Sequence, residues 1–188
     1  LESLQTNTWH FAGAKNYTQL RQIGDALITT EGSLRTEREF IQEALKINST
    51  MSKQYLSAEY NLAAGNAQMA AKWQDIEETK DIFPFLQFDA VMDGQTSEIC
   101  SPLDGKIYRV DHPFWDRYTP MNHFRCRSTV RKLTHGVESE PAAADIPEIF
   151  QSNMGKQGLA FPEKHPYFID LPDEVRDNAG RLKPRRNG

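Results

Sequence analysis

Phe83-Pro84-Phe85-Leu86-Gln87-Phe88-Asp89-Ala90-Val91-Met92-Asp93-Gly94 is where this chain changes character. Pro84 closes a long helical stretch, since its ring disfavours helical geometry in the residue before it. From Phe85 to Met92 aromatic and branched residues dominate, which reads as a strand. Asp93-Gly94 is a turn signal, and Asp104-Gly105 is a second one. Lys106 to Val110 then forms a short strand before Pro113, and Cys126 to Leu133 alternates well enough for a further strand.

Upstream of Pro84 the pattern is helical. Residues 1–15 carry Trp9 and Phe11 in an irregular setting with Gly13 and read as an arm with docked aromatics. Asn16 is placed as the N-cap of a first helix carrying Leu20, Ile23 and Leu27, which Glu31-Gly32-Ser33 ends. Thr36-Glu37-Arg38-Glu39 is a capping-box sequence, so a second helix runs from Thr36 to about Asn48. The longest helix is capped by Ser52, with Tyr55, Leu56, Tyr60, Ala63, Ala67, Ala70 and Trp73 along one face.

After Thr134 periodicity fades. A short helical turn is expected around Ile146 to Phe150, and Phe161, Tyr167 and Phe168 interleaved with Pro162, Pro166 and Pro172 suggest an extended arm. Arg181, Lys183, Arg185 and Arg186 make a basic tail. Helices followed by strands define an α+β class: N-terminal helices including one long one, a small mostly antiparallel sheet with long aromatic-rich loops, and an extended C-terminal arm. The implied segments are 1–50 (arm and helices), 51–133 (core) and 134–188 (arm with basic tail), forming one structural unit.

Composition narrows the functions. Of the 188 residues 38% are hydrophobic and 26% charged, which allows a modest core with much surface. The formal charge of −4 argues against a dedicated nucleic-acid binder. No apolar run approaches the roughly 18 residues of a membrane span, so no membrane partner is expected. The opening Leu-Glu-Ser-Leu is neither a start methionine nor a signal sequence and reads as a processing boundary. Two cysteines do not make a disulfide framework, and synthesis in the cytoplasm is the default.

Residues with chemical potential cluster between Asp93 and Arg127. His123 and Cys126 have an HxxC spacing that Cys100 can join, giving three ligand types suited to zinc, although paired CxxC knuckles are absent. The plain alternative is that both cysteines are small buried hydrophobes, or that they pair as an adventitious disulfide. A cysteine nucleophile would need Cys100 activated by His112 or His123, with Asp104 or Asp116 orienting the ring. No Gly-x-Ser-x-Gly, His-Glu-x-x-His, Walker or dinucleotide glycine pattern occurs. Arg125, Arg127 and Arg131 share parity on the expected third strand, a stripe suited to phosphate, to acidic residues of this chain or to a partner protein. Phe114, Trp115, Tyr118 and Phe124 interleave with it and are expected to form a core beneath a loop.

The order of these motifs resembles the phage Mu F-like head morphogenesis proteins. The resemblance runs over residues 59–133 through Glu59-Tyr60-Asn61, Ala67 to Trp73, Phe83 to Phe88, Asp93, Leu103-Asp104-Gly105, Asp111-His112-Pro113-Phe114-Trp115, Pro120-Met121-Asn122 and Cys126-Arg127. Phe150, Asn153, Gly155 and Lys156 resemble the family's downstream segment. This chain departs from the pattern at Ser128, where many relatives have a second cysteine, at Cys100, where many have histidine, and at His112, where an acidic residue is usual. The resemblance implies a minor head protein acting in head assembly, DNA packaging or ejection, without catalytic activity; the alternatives are a DNA-contacting packaging or ejection factor and, behind it, a cysteine-based hydrolase or toxin. Its expected partners are portal and shell proteins, with packaged DNA as an alternative contact, and no cofactor apart from the possible zinc. It implies location in the host cytoplasm during assembly and in the virion head afterwards.

Overall fold

The computed structural model describes residues 2–169 and 171–179, with side chains described outside 50–55 and 177–179. The fold is α+β. Two helices, α1 (Glu2–Asp25) and α2 (Glu37–Thr79), form a hairpin. A three-stranded sheet of β1 (Phe85–Asp89), β2 (Ile107–Arg109) and β3 (Thr129–Leu133) follows, with α3 (Phe114–Tyr118) between its last two strands. The C-terminal part carries short helices α4 (Met154–Gln157), α5 (Pro166–Ile169) and α6 (Asp173–Ala179). No helix among the described residues is long and apolar enough to cross a membrane.

Residues 2–15 are helical, not an irregular arm, and Asn16 lies inside α1 rather than at its start. The cause is long-range packing. Asn7 is buried and its amide behaves like a second backbone: Nδ2 donates to the Phe161 carbonyl, and Oδ1 accepts from the N–H groups of Ala160 and Phe161. The Phe11 ring stacks on Phe161 with centroids 3.6 Å apart and meets His165 edge-on at 4.8 Å. The segment from Phe161 onward is therefore latched to α1, and α5 turns what reads as an extended arm into a short helix. The basic tail at Arg181, Lys183, Arg185 and Arg186 lies outside the described residues.

The two helices expected at 36–48 and from Ser52 are one helix. The capping box at its start is present, with Thr36 accepting from the Glu39 N–H and Glu39 reaching back to the Thr36 N–H. The backbone is helical through position 52, so no helix begins there. The buried face is also turned by about one position from the expected stripe. Leu62, Asn66, Met69, Trp73 and Ile76 face the core, whereas Leu56 and Tyr60 point to solvent, Tyr60 at 73% exposure. Asn66 made the phase hard to read: it is polar yet fully buried, its Nδ2 donating to the Ala160 carbonyl.

The sheet order is β2-β1-β3, with both pairings antiparallel. Leu86 and Phe88 of β1 point inward beside Tyr108 and Val130, its inward-facing neighbours on the flanking strands. Alternation along one face thus meets the α2 core face, as a half-buried antiparallel sheet requires. Lys72 donates to Thr129 at 2.7 Å, and Lys132 pairs with Asp75 at 2.6 Å, tying β3 to α2 along its length. Gly155 lets α4 sit against α2, where an added Cβ would come within 2.8 Å of Trp73 Cβ.

Candidate functional site

The motif residues converge on a block between β1 and β3. In the first turn, Leu103 is fully buried, Asp104 Oδ1 accepts from the Ala90 N–H at 2.8 Å, and Gly105 takes a left-handed φ of 73°. The Gly105 N–H then donates to the Phe88 carbonyl, so the turn is sewn to β1. Pro113 precedes α3, which projects Phe114, Trp115 and Tyr118 inward. Trp115 is fully buried and its indole N–H donates to the Arg109 carbonyl at 2.9 Å, while Phe114 stacks on Tyr108 at 4.3 Å. Asn122 is buried and donates to the Tyr118 carbonyl.

The arginines do not form a stripe on one strand. β3 begins at Thr129, so Arg125 and Arg127 lie in the preceding loop, and Arg125 has a φ of 61°. Arg127 holds Asp93 in a two-pronged pair at 2.8 and 2.6 Å. The Arg127 guanidinium, followed by the Gln95 N–H, brings the Asp93 carboxyl down to about 2. Arg131 is 3.5 Å from Asp89 across the sheet. The first and last residues of the motif block, Asp93 and Arg127, are thus joined to each other.

Cys100, His123 and Cys126 do come together. The two buried sulfurs are 3.8 Å apart, and a ring nitrogen of His123 lies within 4.8 Å of both. His123 Nδ1 is 2.8 Å from the Phe124 carbonyl oxygen and Nε2 is 2.8 Å from Ser97 Oγ. With Nδ1–H donating to the carbonyl, Nε2 carries the lone pair. The pair of thiols behaves as one acid: the hydrogen bond from Cys100, together with His123, favours the Cys126 thiolate, while the same bond to Cys126 pushes the Cys100 thiol up. The His123 ring is in turn raised, chiefly by its hydrogen bond with Cys126.

The carboxylates needed for a nucleophile are elsewhere. Asp104 is bound to Ala90, and Asp116 is paired with Lys156 at 2.5 Å. His112 stacks on Tyr108, and its Nδ1 accepts from the Phe114 N–H. The cysteines therefore meet one histidine oriented by a carbonyl, not the cysteine, histidine and carboxylate combination that the residue types allow. Sequence reasoning missed Ser97 and Ser128, whose hydroxyls both lie against the Cys100 sulfur. The signal for Ser97 was its spacing: its Oγ accepts from the Cys100 N–H three residues on, an Ser-x-x-Cys turn.

A different feature lies at the hairpin's closed end. The α1–α2 turn is held by the Ile28–Leu34 bridge and by Arg35 donating to the Ala26 and Ile28 carbonyls. Around it Leu20, Leu27, Ile28, Leu34, Ile41 and Leu45 are exposed, Leu34 at 74%. The start of α2 at this tip lies roughly 38 Å along the helix from the core-facing Leu62, at about 1.5 Å per residue.

Comparison with known proteins agrees with the order of motifs. The chain is 32% identical over 83 residues to the putative capsid assembly protein F of Escherichia phage Mu, covering 44% of this chain and 19% of that protein. It is 37% identical over 68 residues to the Mu-like prophage FluMu F protein of Haemophilus influenzae, covering 36% of this chain and 16% of that protein. The matched region thus spans less than a fifth of either relative. No solved structure matches the chain. The sequence profile described as Phage Mu protein F like protein matches residues 22–131, more than half of the chain, and the chain belongs to that family.

Proposed function

We propose that this chain is part of a minor head protein of a phage or prophage and acts in head assembly through protein–protein contacts. The observation that carries the reading beyond family membership is the hairpin tip, where Leu27, Ile28, Leu34, Ile41 and Leu45 face solvent at the end of a long helical arm. Apolar side chains gathered at one exposed end favour a protein partner, because burying them removes apolar surface from water. The partners in this reading are the portal and the shell protein, met in the host cytoplasm during assembly and retained in the virion head. The likeness to the putative capsid assembly protein F of phage Mu supports it.

Contact with packaged DNA has weaker support. Arg127 is committed to Asp93, Arg131 faces Asp89, and the formal charge is −4. No reading as an enzyme gains support from the cysteine cluster, which lacks an orienting carboxylate among the described residues. The test is retention of this chain by purified portal and shell proteins encoded beside its gene. Specific retention by either supports the reading. Retention by neither, with low-salt binding to duplex DNA instead, would replace it with the DNA reading.

A further inference from the structure

The cysteine–histidine cluster has more order than two buried thiols need. A tetrahedral zinc with sulfur ligands at about 2.3 Å places those sulfurs about 3.8 Å apart. Cys100 and Cys126 Sγ are separated by 3.8 Å. Two thiols in simple contact would also meet near that distance, so the third group decides. His123 reaches the same point, with the three ligand atoms within 4.8 Å of one another. A cavity of about 20 Å³ adjoins them, lined in part by Ser97, Cys100, His123 and Ser128. That is room for one small ion or one water.

The surroundings suit a cation bound by thiolates. The Phe124 carbonyl fixes the His123 tautomer through Nδ1, leaving Nε2 as the donor atom. Metal-bound histidines are held in this way by a carbonyl or carboxylate on the other ring nitrogen. Two buried thiolates alone would be costly to desolvate, whereas two thiolates with one divalent ion are neutral overall.

We propose that Cys100, His123 and Cys126 form a binding site for a zinc-class divalent ion, with Ser128 or a water at the fourth position. The ion fastens the irregular loop between α3 and β3 to the turn before Leu103. Binding releases to solvent the protons the two sulfurs carry, with no change of oxidation state. The site is independent of the head-assembly reading, since its test involves no head protein.

The experiment is elemental analysis of the 188-residue chain purified under reducing conditions without chelator, then titration of the metal-stripped chain with Co²⁺ alone. The expected results are close to one zinc per chain, and tetrahedral cobalt absorption in the visible with a thiolate-to-cobalt band in the near ultraviolet, both complete at one equivalent. Cys126→Ala and His123→Ala each reduce bound metal to a trace. Should those variants fold poorly, the wild-type cobalt spectrum still decides. Cobalt bound without the thiolate band, no metal uptake at micromolar Co²⁺, or a Cys100–Cys126 disulfide persisting under reductant would each overturn the proposal.

Discussion

The motif block from Asp93 to Leu133 and the tip of the α1–α2 hairpin solve opposite problems. In the block, side chains that look like binding or catalytic groups are used internally: Asp104 on Ala90, His112 on Phe114, Asp93 on Arg127, Trp115 on Arg109. At the tip, side chains that look like core residues, Leu34 and Leu45 among them, face water. These motif residues therefore serve the scaffold, while a cluster of exposed apolar side chains sits at the tip, where no motif stands out.

That contrast is open to measurement. Trp115→Ala removes a fully buried indole and its hydrogen bond, and a loss of about 3–5 kcal/mol is expected in denaturant unfolding. A loss below about 1 kcal/mol would show that the block is not where stability resides. Asn7→Ala leaves the N–H groups of Ala160 and Phe161 without their acceptor, at a cost of about 1–3 kcal/mol. Thr36→Ala removes the cap of α2 for about 1 kcal/mol, and circular dichroism should show fraying from that end.

The smallest effect is a local one set by pH. Burial, with Lys15 nearby, lowers the His165 imidazole to about 4. The unfolded residue takes up its proton near pH 6.5, so the folded state binds fewer protons between that value and about 4. Stability of the latch is therefore full above pH 6.5 and declines as pH falls toward 4. Once corrected for the intrinsic fall of amide exchange with pH, protection at Phe161 and Phe168 should drop over that window in the wild type and stay flat in His165→Phe. An equal drop in both would assign the change to other groups.

Local signals in the sequence were legible and long-range ones were not. The capping box at Thr36, the turn at Asp104-Gly105 and the three antiparallel strands are dictated within a few residues, and the structure contains them. Strand ends were read too long, because Val91, Met92 and Cys126 have strand-like chemistry but belong to loops. The first half of α1 was missed because Asn7 and Phe11 find their partners at Ala160 and Phe161, beyond the reach of any pattern within the helix. The break expected near Asn48-Ser49 reflects poor helix formers that sit inside one continuous helix. At the candidate site the sequence grouped Cys100 with the HxxC pair His123 and Cys126, and only the fold adds Ser97 and Ser128.

We propose that the hairpin tip, rather than the motif block, meets head proteins. It is tested most directly by comparing retention of the wild type and a triple variant, Leu34→Glu with Ile41→Glu and Leu45→Glu, on immobilised portal and shell proteins. All three side chains are exposed, so each change should alter stability by no more than about 0.5 kcal/mol, and matched melting curves establish that. The wild type should be retained and the folded triple variant lost. Equal retention of the two would contradict it and move the contact surface away from the tip.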